Sequence, residues 1–262
     1  MLKIPFNNVW AHVIDLITSL TSGVLFYTII PLPAKWTNNW TRIARWSPPI
    51  GCLIGGLLAL LAFTLELIGI PNLTANALIV TAWVAITGGL HLDGAMDTAD
   101  GLSVTNPERR LEVMKDSATG AFGAIAAIII LFLKTVTLSE MSLPLWLVLL
   151  NVAGWARWGQ VCAIAFYPYL RPTGKGSFHK ENLRLPQDML LGLIVLLCLS
   201  GLWFTVTYLA LWQVGLIILG NIAIALLTGY WFNQQLGGHT GDTYGAVVEW
   251  SEALILCFLT VF

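Results

Sequence analysis

The sequence predicts an all-α fold: a polytopic membrane helix bundle of about seven or eight transmembrane helices, with a candidate active site at the cytoplasmic face. Three observations predict it. Hydrophobic residues make up 57% of the 262 and charged ones only 10%, against about 25% charged in an ordinary soluble domain, and the mean hydropathy is +0.78. Stretches 46–65, 67–92, 117–133 and 189–241 contain no Asp, Glu, Lys or Arg, and roughly 20 apolar residues in helix suffice to cross a bilayer core. Hydrophobicity within them is continuous rather than alternating, which selects helices over a closed barrel, the two structures that satisfy backbone polar groups in lipid.

Taken in order, the expected spans are 13–31, 49–70, 76–92, 120–138, 144–167, 189–209, 212–231 and 244–262. The first carries His12 and Asp15 at its start and the last carries Glu249 and Glu252, so these two decide between seven and eight crossings. The N-terminal segment lacks the short apolar region and small-residue cleavage site of a signal peptide and is expected to be retained. With no repeat, low-complexity tract or long linker, residues 1–262 are expected to form one integral-membrane domain. Cys52, Cys162, Cys198 and Cys257 are scattered through apolar sequence without metal-ligand spacing, as small packing residues. The 12 tryptophans suit interfacial belts and helix packing. A net charge of -1 excludes a polyanionic partner such as nucleic acid.

The loops are unequal. Connections 32–48, 93–119 and 168–188 hold Lys35, Arg42, Arg45, Arg109, Arg110, Lys115, Arg171, Lys175, Lys180 and Arg184, ten of the 13 basic residues, whereas "PNLTA", "LSEMS" and the link near 210 hold none. The positive-inside rule places the basic loops in the cytoplasm of a bacterial inner membrane, and helix counting puts the non-basic connection 232–243 on the same face. Topology explains the cations. It does not explain the acidic and glycine-rich clusters mixed in with them.

The first such cluster is "GGLHLDGAMDTADGL", Gly88 to Leu102. If it continues as helix, Asp93, Asp97 and Asp100 fall at i, i+4 and i+7, on one face about a turn apart. Carboxylates that close repel, so without a cation at least one protonates. A hard divalent ion removes the conflict, and Mg²⁺ typically bridges one or two protein carboxylates to substrate phosphates. Gly94 and Gly101 would let a bulky anion approach the backbone. The alternative is a solvated acidic helix end, set against the unbroken apolar run that precedes it. Adjacent His91 either orients a carboxylate, binds substrate or is a hydrogen-bonded structural histidine.

Four further features surround that cluster. "RRLEVMKDSATGAFGAI" supplies Arg109, Arg110, Lys115 and Asp116 ahead of a helix start at Ser117, where cations and free amides can hold phosphate oxygens; topogenic charge and a plain helix cap are the alternatives. Arg157 lies within the fifth span and needs a partner or a wet cavity unless it snorkels. "RPTGKGSFHK" offers Arg171, Lys175, His179 and Lys180 in a loop that resembles an anion-binding turn only loosely and lacks the nucleotide P-loop pattern. "GGHTGDTYGAVVEWSE" brings His239, Thr240, Asp242, Glu249 and Glu252 to the last helix, and two glutamates inside a span are costly unless they serve a metal, a proton or a cation. They are expected to form a second part of the same metal and substrate site.

"TGGLHLDGAMDTADGL" from Thr87, "MKDSATGAFGA" from Met114 and "GGHTGDTYGA" from Gly237 together resemble the signature segments of the cobalamin synthase family, the adenosylcobinamide-GDP ribazoletransferases. The order, spacing and length agree over nearly the whole chain. One departure is Ile29 in "FYTIIPLP", where the family commonly carries an arginine. The resemblance implies the last nucleotide-loop assembly step of cobalamin biosynthesis: adenosylcobinamide-GDP and α-ribazole, or its 5′-phosphate, give adenosylcobalamin, or its phosphate, plus GMP, with Mg²⁺. Read with the residues above, that chemistry makes Asp93, Asp97, Asp100 and His91 the expected catalytic residues, with the three aspartates on the metal, Asp242 and Glu249 completing the metal site or holding the ribazole, and Lys115, Asp116, Arg157, Lys175, His239 and Thr240 as the expected substrate contacts. Membrane lipid, a homo-oligomer and other cobalamin-pathway enzymes are the partners it leaves open. Two competing classes make different demands. A CDP-alcohol phosphotransferase wants a DGxxAR continuation where this chain reads "DGAMDTAD", and a cation or proton transporter wants acids near mid-membrane on several helices rather than gathered at one face.

Overall fold

The structure, a computed structural model, describes residues 6–116, 118–171 and 176–262. Among the described residues eleven α-helices follow one another: α1 Phe6–Tyr27, α2 Ser47–Leu67, α3 Asn72–Ile86, α4 Leu90–Ser103, α5 Pro107–Val113, α6 Ala121–Ser139, α7 Leu145–Phe166, α8 Ser177–Asn182, α9 Gln187–Val206, α10 Leu211–Leu236 and α11 Gly241–Leu259. No strand forms among the described residues, where Tyr169 and His239 make one isolated bridge. The fold is therefore the all-α polytopic membrane bundle expected. Among the described residues five helices have the length and apolarity to cross a membrane: α2 with the 3₁₀ turn before it, α6, α7, α9 and α10. Counting α3 and α4 as one broken span makes six, fewer than the seven or eight expected. Among the described residues α1 offers a shorter apolar segment, Val13–Tyr27, and α11 carries Asp242, Glu249 and Glu252.

α7 and α11 form the centre, and both are buried along most of their length. α2, α4, α6, α9 and α10 wrap around them. Close approach rests on small residues: a Cβ on Gly51 would stand 2.2 Å from the Ala153 carbonyl oxygen, and one on Gly55 would stand 2.4 Å from that of Leu149, so α2 meets the α7 backbone directly. Such small-residue contacts drive helix association in lipid, where no hydrophobic force operates between helices.

The interior also carries charge. Lys134 Nζ on α6 donates to Glu249 Oε2 at 2.6 Å and to Glu252 Oε2 at 2.5 Å, and Arg157 Nη1 on α7 donates to Glu252 Oε1 at 2.7 Å. The ammonium of Lys134 lies 4.8 Å from the Trp83 ring centre. Two cations meet two anions, all almost fully buried, so the ion group is neutral and ties α6, α7 and α11 together. Arg157 Nη1 is engaged by Glu252 and by its own helix's Ala153 carbonyl, while its Nε and Nη2 find no partner among the described residues, and Glu249 is held by Lys134.

The span expected at 76–92 breaks. Gly88 and Gly89 adopt positive φ, +63° and +71°, a conformation glycine takes without steric cost, and α4 leaves α3 at 88°. α4 thereby departs from the direction of the span and lies outside the five crossing helices. At that end the long connections meet. Arg110 donates to the Gln235 carbonyl, Leu170 N to the His239 carbonyl and His239 N to the Pro168 carbonyl, while Arg42 pairs with Asp188.

Candidate functional site

Asp93 and Asp97 on α4 face Asp242 in the first turn of α11, and glycines set that approach. A Cβ on Gly94 would stand 2.6 Å from the Asp242 carbonyl oxygen, and one on Gly245 would stand 2.9 Å from that of His91. Gly94 thus admits the α11 backbone rather than a ligand, and Gly101 packs against Met114 and the Arg110 carbonyl. Thr240 caps α11, accepting from Thr243 N at 3.3 Å, and fixes where Asp242 begins. Asp97 is pushed up to about 6, first by burial and then by the negative charges of Asp93 and Asp242, with Arg171 opposing and Asp100 adding. Arg171 Nη2 bridges Asp242 Oδ2 at 2.8 Å and the Met114 carbonyl at 3.2 Å. Three carboxylates and one guanidinium thus share one rim.

Beside the rim lies a cavity of about 400 Å³, lined by Asp93 and Asp242 of the rim and by Phe26, Tyr27, His91, His179 and Tyr244 among others. His91 is 3% exposed, and neither ring nitrogen has a hydrogen-bond partner among the described residues. Burial, and then the positive charges of Arg157 and Lys134, lower its pKa, which keeps the imidazole neutral.

The other expected site residues are placed differently. Asp100 turns to α6: Oδ2 accepts from Gly120 N at 2.7 Å and Oδ1 from Gly123 N at 2.8 Å. It caps a helix start. Glycine is required at both positions, since a Cβ would stand 2.3 and 2.4 Å from that carboxylate. His239 and Thr240 are fully buried. His239 Nδ1 pairs with Thr243 Oγ1 at 3.1 Å and Nε2 with the Gly229 carbonyl at 3.1 Å, so both ring nitrogens serve the fold rather than a ligand. Lys115 and Asp116 are exposed in the connection to α6, where Asp116 Oδ1 accepts from Ala118 N. Lys175 and the helix start expected at Ser117 lie outside the described residues. Arg171, Tyr27, His179 and Tyr244 enter the site without having been assigned a role. Arg171 and His179 share the basic loop from which Lys175 was chosen; Tyr27 sits in an apolar run that gives no local signal, and Tyr244 lies in the segment GGHTGDTYGA, where its polar neighbours drew the assignment instead.

No group of three or more His, Cys, Asp and Glu side chains among the described residues is arranged to cage a metal by itself. The donors at the rim are carboxylate oxygens, the chemistry a hard divalent ion prefers. Mg²⁺ usually takes one or two protein carboxylates and fills its remaining positions with water and substrate phosphate. An open acidic rim fits that habit better than a closed cage would.

The cobalamin-5-phosphate synthase family model matches residues 19–260. A protein of Trichormus variabilis named adenosylcobinamide-GDP ribazoletransferase is 55% identical, over 94% of this chain and 98% of its own length. Proteins of the same name from a Synechocystis species and from Desulfitobacterium hafniense are 48% and 37% identical, over 93% and 89% of this chain and 94% and 93% of their own. No solved structure matches the chain. A match that runs through the acidic helix, the basic loops and the capped start of α11 leaves one conclusion: the chain belongs to the cobalamin-5-phosphate synthase family.

Proposed function

We propose that this protein is an adenosylcobinamide-GDP ribazoletransferase, joining adenosylcobinamide-GDP to α-ribazole or its 5′-phosphate and releasing GMP. The observation that carries the reading is the rim of Asp93, Asp97 and Asp242 against Arg171, opening on an aromatic cavity in a chain whose relatives bear that name. A ribose hydroxyl of the acceptor attacks the phosphorus bonded to cobinamide. A new P–O bond forms, the anhydride P–O bond to GMP breaks, and the hydroxyl proton passes to His91 or to one of the aspartates. Asp93, Asp97 and Asp242 would hold Mg²⁺, which supplies charge neutralisation on the diphosphate oxygens when bound. Arg171 supplies a second cation suited to phosphate. The basic loops support a cytoplasmic orientation in the bacterial inner membrane, with the substrates arriving from the cytoplasm.

The test is turnover by the purified protein in nanodiscs with both substrates and Mg²⁺. GMP release that requires α-ribazole, and that falls at least 100-fold in Asp97→Asn without loss of thermal stability, is the expected result; full turnover in that variant removes Asp97 from the site. Mg²⁺ or proton flux in liposomes, with no GMP formed, would replace the reading with a transporter.

A further inference from the structure

α4 has a second flank. Ala95 and Ala99 stand two residues on from Asp93 and Asp97, about 200° around the helix, so carboxylates occupy one side and small side chains the other. With Leu102, the two alanines line a groove of about 820 Å³ whose facing wall is α10, through Leu227, Tyr230 and Trp231, with α6 and α11 contributing the rest. The 88° turn after α3 takes α4 out of the line of its span, and the short side chains at 95 and 99 leave space beside it. The groove is open and apolar. Leu227, Tyr230 and Trp231 are 49–62% exposed, and the lining hydroxyls of Ser103 and Thr228 are spent on carbonyls of their own helices, those of Asp100 and Ile224. An exposed apolar surface of this kind marks a partner or a membrane, and α6 and α10 are membrane-spanning by length and apolarity.

One end of the groove is charged. Arg110 Nε donates to the carbonyl of Val104, the residue after Ser103, at 3.2 Å, and Nη1 donates at 2.8 Å to the carbonyl of Gln235, one turn past Trp231 on α10. The guanidinium therefore ties together the ends of the two helices that wall the groove. Both partners are neutral carbonyls, and Arg110 pairs with no carboxylate among the described residues, whereas neighbouring Arg109 lies 3.7 Å from Glu112. An apolar groove ending at an uncompensated arginine is complementary to an acyl chain ending at a phosphodiester. Arginine is well matched to phosphate, and basic pockets between membrane helices take anionic lipid head groups. A zwitterionic lipid fills the groove equally well but brings its own cation to Arg110, so the charge favours a lipid with net negative charge.

We propose that this groove is a binding site for an anionic phospholipid, with one acyl chain between α4 and α10 and the phosphate paired with Arg110. A chain seated there packs the flank of α4 opposite Asp93 and Asp97, and so braces the helix that carries the rim. The test is native mass spectrometry of the full chain released from nanodiscs that hold phosphatidylglycerol and phosphatidylcholine in equal amounts. Phosphatidylglycerol adducts should exceed phosphatidylcholine adducts at least fivefold on the parent protein. Arg110→Gln should bring the two within twofold of each other, and Ala99→Trp, which fills the groove, should remove the adduct. A second measurement needs no variant: phosphatidylglycerol with a diazirine in its acyl chain should label the α10 peptide spanning residues 224–232, and unlabelled phosphatidylglycerol should compete that labelling away where phosphatidylcholine does not. Equal adducts of the two lipids on the parent, a phosphatidylglycerol preference unchanged in Arg110→Gln, or labelling that both lipids compete equally would overturn the site. So would a dimer without lipid adduct that Ala99→Trp dissociates, since a second copy of the chain would then be what covers the groove.

Discussion

Asp97 shows how a single carboxylate couples chemistry to stability. Its pKa is raised from 3.8 to about 6 by burial and by Asp93 and Asp242. The folded state therefore holds the proton more tightly than the unfolded chain. The resulting stabilisation is fully present below about pH 4 and is lost as the pH rises through about 6. Asp97→Asn fixes the side chain in an uncharged form. At pH 8 without Mg²⁺ its Tm should exceed that of the parent, and the gap should close below about pH 4; a gap independent of pH would contradict this origin. Glu249 makes the opposite case. It pairs with Lys134 inside the bundle, so Glu249→Gln should leave the Mg²⁺ concentration for half-maximal turnover unchanged. Lys134→Met, which strands Glu249 and Glu252 with Arg157 alone, should cost about 3–5 kcal/mol of stability, and adding Glu249→Gln should restore most of it in thermal denaturation.

At the scale of elements, the site depends on how closely α4 crosses α11. Gly94→Ala places a methyl group against the Asp242 carbonyl and pushes the two helices apart, so turnover should fall at least tenfold while the protein still inserts and elutes as a folded species. Asp100→Ala removes the cap on α6 and should lower stability by about 0.5–2 kcal/mol, with Asp100→Asn intermediate. The helical register of Asp93, Asp97 and Asp100 was legible in their spacing, and so was the capped start of α11. The break at Gly88–Gly89 was not, because two glycines inside an apolar run read as continued span until their φ angles are known. Nor was the division of labour among the aspartates. Asp100 shares a helix face with Asp93 and Asp97, yet one turn further along it meets the amides of α6, a contact set by a loop rather than by the spacing.

Across the whole molecule, the all-α membrane bundle was readable from composition alone, whereas the number of crossings was not. α11 carries its acids at the centre of the bundle, and only its neighbours reveal that Lys134 and Arg157 neutralise them. Lys134 follows directly on an uncharged run, and its partners lie more than 100 residues away, beyond any local pattern. That internal neutrality also weighs against an ion pathway, since these interior carboxylates are each held by a cation. The bundle's orientation has its own check: in a cysteine-free background, a membrane-impermeant maleimide added to spheroplasts should label Glu140→Cys and should label Lys115→Cys only after lysis. The central claim is that the carboxylates of α4 and α11 hold a divalent ion against the substrate diphosphate. Its most direct test is electron paramagnetic resonance with Mn²⁺ in place of Mg²⁺ and adenosylcobinamide-GDP bound. The account predicts phosphorus hyperfine coupling to the bound Mn²⁺ that disappears in the Asp93→Asn, Asp97→Asn double variant; the same coupling persisting in that variant would contradict it.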